Sequence, residues 1–223
     1  KQALEQQTAT AEVLQVISNS MADEQPVFEK ILSSCQSLFA GHNVGLMRVR
    51  EDGLLDVGAY LGPGGEALRA LFPRPLGRDT GAGTAILERR VIDYPDAEAE
   101  DVPAGARSGA AAQGVRSLVF APMLADGVAI GALWVGRSRK GAFGEKATAL
   151  LRTFADQAVI AIQNARLFND TREALDQQTA TTEVLQVISR SPTDVQPVFD
   201  AIASRAIALC DARIGMVARF DGE

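Results

Sequence analysis

The side chains of this chain that could act on a bound molecule gather around one irregular stretch. Asp93 and Asp96 flank Tyr94, and Arg116 closes the stretch. Two carboxylates and a guanidinium that converged in one cleft with shifted pKa values would support acid–base chemistry. Glu98, Glu100 and Asp101 lie between them; such a cluster could bind a cation, but acidic residues in a loop first of all keep it solvated. Gly81-Ala82-Gly83 opens a helix and could offer backbone N–H groups to an anion. The third glycine of a dinucleotide fingerprint and the lysine of a P-loop are missing, so it reads as a plain helix start. No Gly-x-Ser-x-Gly nucleophile motif occurs. The single histidine, His42, lies in a loop and lacks the acidic neighbour in a helix that a phosphoacceptor needs. The two cysteines, Cys35 and Cys210, have no partner at metal-ligand spacing and read as buried free thiols in a reducing compartment. Neither an enzyme site nor a metal site is expected.

The elements that would position these residues are set out by a repeat. Ala3–Ser33 and Ala174–Ser204 are identical at 22 of 31 positions without a gap, at an offset of 171 residues. Solenoid units are far shorter, so the offset is the period of a whole domain with its connecting helix. Residues 1–22 read as a linker helix with a Leu4, Ala11, Leu14, Ile17 stripe, and 23–168 as one complete domain. Residues 145–189 read as a long helix overlapping that domain's end, and 192–223 as the incomplete start of a second domain.

Within the complete domain a helix is predicted from Pro26 to about Phe39. Strands Val44–Arg50 and Leu54–Tyr60 follow around Glu51-Asp52-Gly53, a hairpin signal because Asp-Gly supplies positive φ. A short helix over Glu66–Phe72, a helix over Thr80–Arg90 and a short strand at Val91–Tyr94 come next. Pro95–Gly114 is irregular. Strands Ser117–Met123 and Val128–Arg137 flank the turn Ala125-Asp126-Gly127. The fold class is α+β: a central, mostly antiparallel sheet of five to six strands, helices on one face, an irregular segment across the other and a long exit helix.

Composition fits a globular domain, with 47% hydrophobic residues and a mean hydropathy of +0.03 over 223 residues. The net charge of −6 disfavours nucleic acid as a partner. No apolar run reaches the length of a membrane span, and no signal peptide opens the chain.

Four stretches carry a family likeness. They are PVFEKILSSCQSLF followed by VGLMRVREDG, PLGRDTGAGTAILERRVIDYPD, GVRSLVFAPMLADGVAIGALWVGR, and FGEKATALLRTFADQAVIAIQNARLF. Together, over about residues 26–168, they resemble a GAF domain of a bacterial signalling protein. The Gln-Gln-Thr-Ala-Thr linker resembles those joining serial GAF domains in sensor histidine kinases and related receptors. The resemblance implies a cytoplasmic sensory module that binds a small molecule or a partner and drives a distant output domain. It also implies a ligand cavity between the sheet and a Pro95–Gly114 lid.

Thr84, Tyr94, Asp96, Arg116, Phe120 and Trp134 are the candidate lining residues; Arg116 and Asp96 bracket the lid. Trp134 lies on the opposite face of its strand from Leu133 and Val135, and ordinary core packing competes with a ligand role for it. No cofactor is expected. The cyclic-nucleotide signature is broken, since Phe143 stands in its place but Arg137-Ser138 precede it and Ala147-Thr148 follow. No cysteine between Cys35 and Cys210 could hold a bilin, and His42 is the only histidine that could ligate haem.

The long helix carries Leu151, Phe154, Ala158, Ala161, Ala165, Phe168 and Leu175 at alternating spacings of three and four, the pattern of a coiled-coil seam. It weakens at Thr179 and Thr182 and resumes shifted at Val184, Leu185 and Ile188, a stutter-like break. A rod of about 67 Å cannot bury its seam on one small domain, so a parallel homodimer is expected. The second domain start is expected to place a strand near Ile214–Phe220 that borrows a partner from another chain or from the first domain's edge. The leading reading is a ligand-sensing, dimerising relay to an output domain; the alternative is a structural dimerisation spacer whose cavity is filled by its own side chains.

Overall fold

The computed structural model describes residues 25–39, 42–190, 196–209 and 213–218; the expected linker helix over 1–22, Cys210 and Arg219–Gly222 lie outside them. The chain forms two compact units, the first reaching to Arg166 and the second starting at Leu167.

The first unit opens with helix α1 (Gln25–Leu38). Strands β1 (Asn43–Val49) and β2 (Leu54–Leu61) pair antiparallel. Gly53 turns the hairpin with a φ of 78° that only glycine adopts freely. Then come α2 (Gly65–Arg69), β3 (Arg74–Pro75), α3 (Gly81–Glu88), β4 (Ile92–Tyr94) and α4 (Ala104–Gln113). Strands β5 (Ser117–Ala125) and β6 (Val128–Arg137) form the second hairpin, and α5 (Glu145–Arg190) leaves the domain. The six strands lie in the order β3-β2-β1-β6-β5-β4, every pair antiparallel. The sheet is closed at its centre by β1 and β6, remote in sequence, with Val44 opposite Val135 and Leu46 opposite Leu133.

Period-two alternation sends each strand's side chains to two separate cores. Val44, Leu46, Val119, Met123, Leu133 and Val135 meet α1 (Phe28, Ile31, Leu32, Cys35) and α5 (Leu151, Ala155, Ala158, Ile162) on the helix face. Met47, Leu118, Phe120, Ala132 and Trp134 meet Leu68 of α2, Ala82, Ala85 and Ile86 of α3, and Ala110 of α4 on the other face, the lid face. Burying a side chain of the Leu, Ile or Phe class contributes about 1.5–3 kcal/mol. The lid face thus also carries helices. Residues 95–114, expected to be irregular, contain α4, whose AGARSGAAAQ sequence offers little amphipathic signal and two poorly helical glycines. Gly114 ends it in the left-handed region, with φ 67°.

The apolar spacing of α5 has a different meaning from the one expected. Leu151, Phe154, Ala158, Ala161 and Ala165 are buried in the domain's own helix-face core, so they are not an intermolecular seam. A three-four spacing marks the buried face of a helix without saying what buries it. Of the seven residues only Phe168 and Leu175, 42% and 60% exposed, are open to a second chain.

In the second unit α5 continues to Arg190 and α6 (Gln196–Leu209) follows. The side chains of Val184, Leu185 and Ile188 lie outside the described set. Residues 214–218 form no strand, and Ile214 and Met216 are 86% and 88% exposed. The borrowed partner expected for this segment is therefore not found among the described residues. Its counterpart β1 is held on both edges, by β2 and β6, and no equivalent of either is present in the second unit among those residues. No helix of the described residues is long and apolar enough to cross a membrane.

Candidate functional site

The lid face is organised by a row of three residues on neighbouring strands. Gly45 of β1 lies opposite Tyr60 of β2 and opposite Trp134 of β6. Because glycine leaves its place empty, the two flanking rings meet over it, stacked with centroids 5.9 Å apart and planes at 14°. A Cβ at Gly45 would lie 1.9 Å from the Trp134 ring. Trp134 is 1% exposed.

Its indole is oriented by the end of α4. Trp134 Nε1 donates to Gln113 Oε1 at 3.1 Å, and Gln113 Nε2 donates to the Gly109 carbonyl at 3.0 Å. Asn43 Nδ2 donates to the Gln113 carbonyl at 3.1 Å and to the Tyr60 hydroxyl at 2.8 Å. The Tyr60 hydroxyl in turn donates to the Pro63 carbonyl at 2.5 Å. Burial pushes the Tyr60 phenol up to about 12, against the opposing hydrogen bond from Asn43. Asn43 of β1 and Trp134 of β6 thus tie down the C-terminal end of the lid helix through Gln113, and Tyr60 of β2 braces Asn43, so that each buried polar group has a partner, as burial requires.

At the other end Phe120 fills the space beside Gly81, where a Cβ would come within 2.2 Å of its ring. Tyr94 meets Phe120 edge-on at 6.1 Å. Thr80 caps α3 by accepting from the Gly83 amide at 3.0 Å. Between the two ends, bounded by Met47, Phe72, Gly105, Gly109, Phe120 and Trp134, a cavity of about 20 Å³ remains. That is room for about one water molecule, whereas small-molecule pockets run to about 300–1,000 Å³.

The six expected lining residues separate into three pairs. Phe120 and Trp134 line the cavity. Thr84 and Tyr94 stand outside its wall. The Thr84 hydroxyl is turned back onto its own helix, donating to the Thr80 carbonyl at 2.9 Å. Burial raises the Tyr94 phenol, partly offset by a hydrogen bond with Thr84. Asp96 and Arg116 are on the surface. Lys140 Nζ lies 2.8 Å from Asp96 Oδ2 and 2.7 Å from Glu98 Oε2, and Arg116 reaches Glu98 at 3.3 Å. The Lys140 hydrogen bonds lower both carboxylates. Asp93 is turned elsewhere, accepting from the Phe143 amide, so Asp93, Asp96 and Arg116 do not share a cleft. Cys35 is fully buried, and burial pushes its thiol up to about 12, which leaves no thiolate nucleophile at neutral pH. Burial, with the Arg137 and Arg139 charges, lowers the His42 imidazole. The site residues absent from the expected set are Asn43, Gly45, Tyr60 and Gln113; a strand glycine beside an aromatic was their one local signal.

This arrangement, a six-stranded antiparallel sheet with an exit helix on one face and a lidded cavity on the other, agrees with a GAF domain sequence profile that matches residues 23–162. The chain belongs to the GAF domain family. Solved structures agree in fold. A GAF domain from a phosphoenolpyruvate-protein phosphotransferase of Coxiella burnetii is 15% identical, with a TM-score of 0.59 over 75% of this chain and 98% of that one. Residues 122 to 287 of a methyl-accepting chemotaxis protein are 21% identical, with a TM-score of 0.58 over 72% and 99%. A domain assigned to a two-component sensor histidine kinase of Sinorhizobium meliloti 1021 is 18% identical, with a TM-score of 0.55 over 66% and 94%. At such identities the likeness shows the fold alone. No curated protein matches the sequence. GAF domains are regulatory modules, and this one has neighbours among sensor-kinase and chemotaxis proteins.

Proposed function

We propose that this GAF domain is a regulatory connector of a cytoplasmic signalling protein, closed by its own side chains in the state described. It passes rearrangements of its lid through α5 to an output domain further along the parent chain, such as a histidine kinase. The observation that carries this reading is the cavity of only about 20 Å³ that remains beside Trp134, whose indole Gln113 latches. The module works without cofactor, nucleic acid or membrane contact, and as a parallel homodimer. Phe168 and Leu175, seven residues apart and exposed beside Leu167, give the second copy's helix an apolar stripe beyond the domain.

One observation favours ligand sensing as a second reading. Three glycines, Gly81, Gly105 and Gly109, form part of the cavity wall, and every hydrogen bond of the latch involves a side chain. A ligand that stabilised an open lid would shift the population toward it by its differential affinity. Native mass spectrometry of the purified chain separates the readings. A dimer mass without bound small molecule is the expected result. A stoichiometric retained molecule would replace the connector by the sensor, and a monomer at micromolar concentration would overturn the dimer.

A further inference from the structure

We propose that the loop entering α5 is stapled to the lid, and that Asp93 and Lys140 hold the staple. The proposal deepens the reading of α5 as the output element and rests on it. Residues 138–144 do not run straight from β6 into the helix. β6 ends at Arg137, paired with Ser117 of β5, and the loop crosses beyond β5 to the edge strand β4. There it is caught at three points. The Phe143 amide donates to Asp93 Oδ2 at 2.9 Å. The Gly141 amide donates to the Pro95 carbonyl at 2.7 Å. Lys140 Nζ bridges Asp96 and Glu98 at 2.8 and 2.7 Å.

Each side of the staple is rooted in a different core. Asp93–Glu98 continue through the buried Ala97 and Val102 into α4 at Ala104, so a shift of the lid helix moves these acceptors. Phe143 places its ring in the helix-face core with Leu151 and Phe154 of α5. The Arg137 guanidinium covers that ring at 3.8 Å and donates to the Gly141 carbonyl at 2.5 Å. One residue therefore has its ring against the exit helix and its amide on the strand that leads to the lid. The staple is also incompletely satisfied, since Asp93 Oδ1 is buried without a hydrogen-bond partner.

Hydrogen–deuterium exchange of the full 223-residue chain tests the coupling. Gln113→Ala releases the far end of α4 and touches no staple residue. It should speed exchange in residues 96–113 and, through the staple, in Gly141–Leu151, by about five- to tenfold, the scale of one hydrogen bond in a local opening equilibrium. With Asp93→Ala and Lys140→Gln added, only the Gly141–Pro95 backbone bond of the staple remains, so the lid should still respond and the response of Gly141–Leu151 should fall sharply. An unchanged response of Gly141–Leu151 after the staple is cut, or no response before it, overturns the proposal. Lys140→Gln alone, at an exposed ion pair, keeps the test in force should Asp93→Ala fail to fold, with a partial loss of the response expected and an undiminished one counting against the staple. A monomer by sedimentation would sink the dimeric relay and leave this exchange pattern intact, so the two ideas fail separately.

Discussion

The two faces of the sheet bury comparable sets of side chains by different chemistry. On the helix face Val44, Leu46, Leu133 and Val135 meet α1 and α5 through aliphatic and Phe contacts. Four of the five buried polar side chains, Asn43, Thr80, Thr84 and Gln113, lie with the lid or the helix beside it; the fifth, Ser117 at the start of β5, donates to the Arg139 carbonyl. Hydrophobic burial is non-directional and holds α5 against the sheet whatever the fine geometry. A buried polar network accepts one arrangement, and each member it loses leaves another unsatisfied. The helix face thus holds α5 by contacts that tolerate small shifts, and the lid face holds its helices in one specified arrangement.

The largest effects should come from emptying each core in turn. Leu151→Ala on the helix face should cost about 2–5 kcal/mol, and Trp134→Ala on the lid face about 3–5 kcal/mol. The losses resemble each other; the repair should not. Removing the indole leaves Gln113 as an open acceptor and Tyr60 as a stacking surface, so added indole should raise the melting temperature of Trp134→Ala and leave that of Leu151→Ala unchanged. Thermal denaturation with and without indole is the measurement. Equal rescue of both, or of neither, would remove the distinction between the faces.

A smaller effect tests the glycine row. Gly45→Ala puts a methyl group into the Trp134 ring, at 1.9 Å without relaxation, and overpacking of this kind costs about 1–3 kcal/mol. If the collision is the cause, the cost should largely disappear in the Trp134→Ala background. A double-mutant cycle by urea denaturation reads this directly, because contacting residues give non-additive changes. Additive losses would mean that strand conformation at Gly45 matters, and not the ring above it.

Much of this contrast was legible in the sequence, and the misses have physical reasons. Both hairpins announce themselves by Asp-Gly turns, and the alternation Leu133, Trp134, Val135 already divides β6 between two faces. α4 was hidden because small residues give a helix no stripe, and β3 because two residues ending in Pro75 carry no strand pattern. In α5, Leu151 to Ala165 were recognisable as a buried face, but spacing cannot name the surface that buries it. Phe120 and Trp134, both expected in the lining, do border the small cavity, and for Trp134 its place in the strand is the reason. Gly45 and Tyr60 were not expected, because their meeting with Trp134 depends on the non-local β1–β6 pairing. Asp96 and Arg116 look like ligand groups in a sequence, whereas in the fold Lys140 and Glu98 satisfy them at the surface.

The smallest expected effect is one of sign, and it lies where the two faces are joined. Burial holds the Asp93 carboxyl above its ordinary value, against the Phe143 amide on the β6–α5 loop and the Arg137 charge on β6, which both lower it. A carboxyl raised in the folded state favours folding when protonated; that contribution is complete below the unfolded pKa of about 4 and is lost as pH rises through the folded value. Asp96 and Glu98 are lowered by Lys140 and their other neighbours, so their contribution is present above their unfolded values and lost as pH falls through the folded ones. All three exposed members of that group are screened by salt. The melting temperature of Asp93→Asn relative to the parent should therefore climb as pH is raised from below 4 to 7. The deficit of Lys140→Gln should be present at pH 7, shrink below about pH 4, and shrink with added salt at any pH between. Slopes of the same sign in the two variants would mean that Asp93 is only another surface partner of Lys140, and the division between a buried and an exposed half of the staple would go with it.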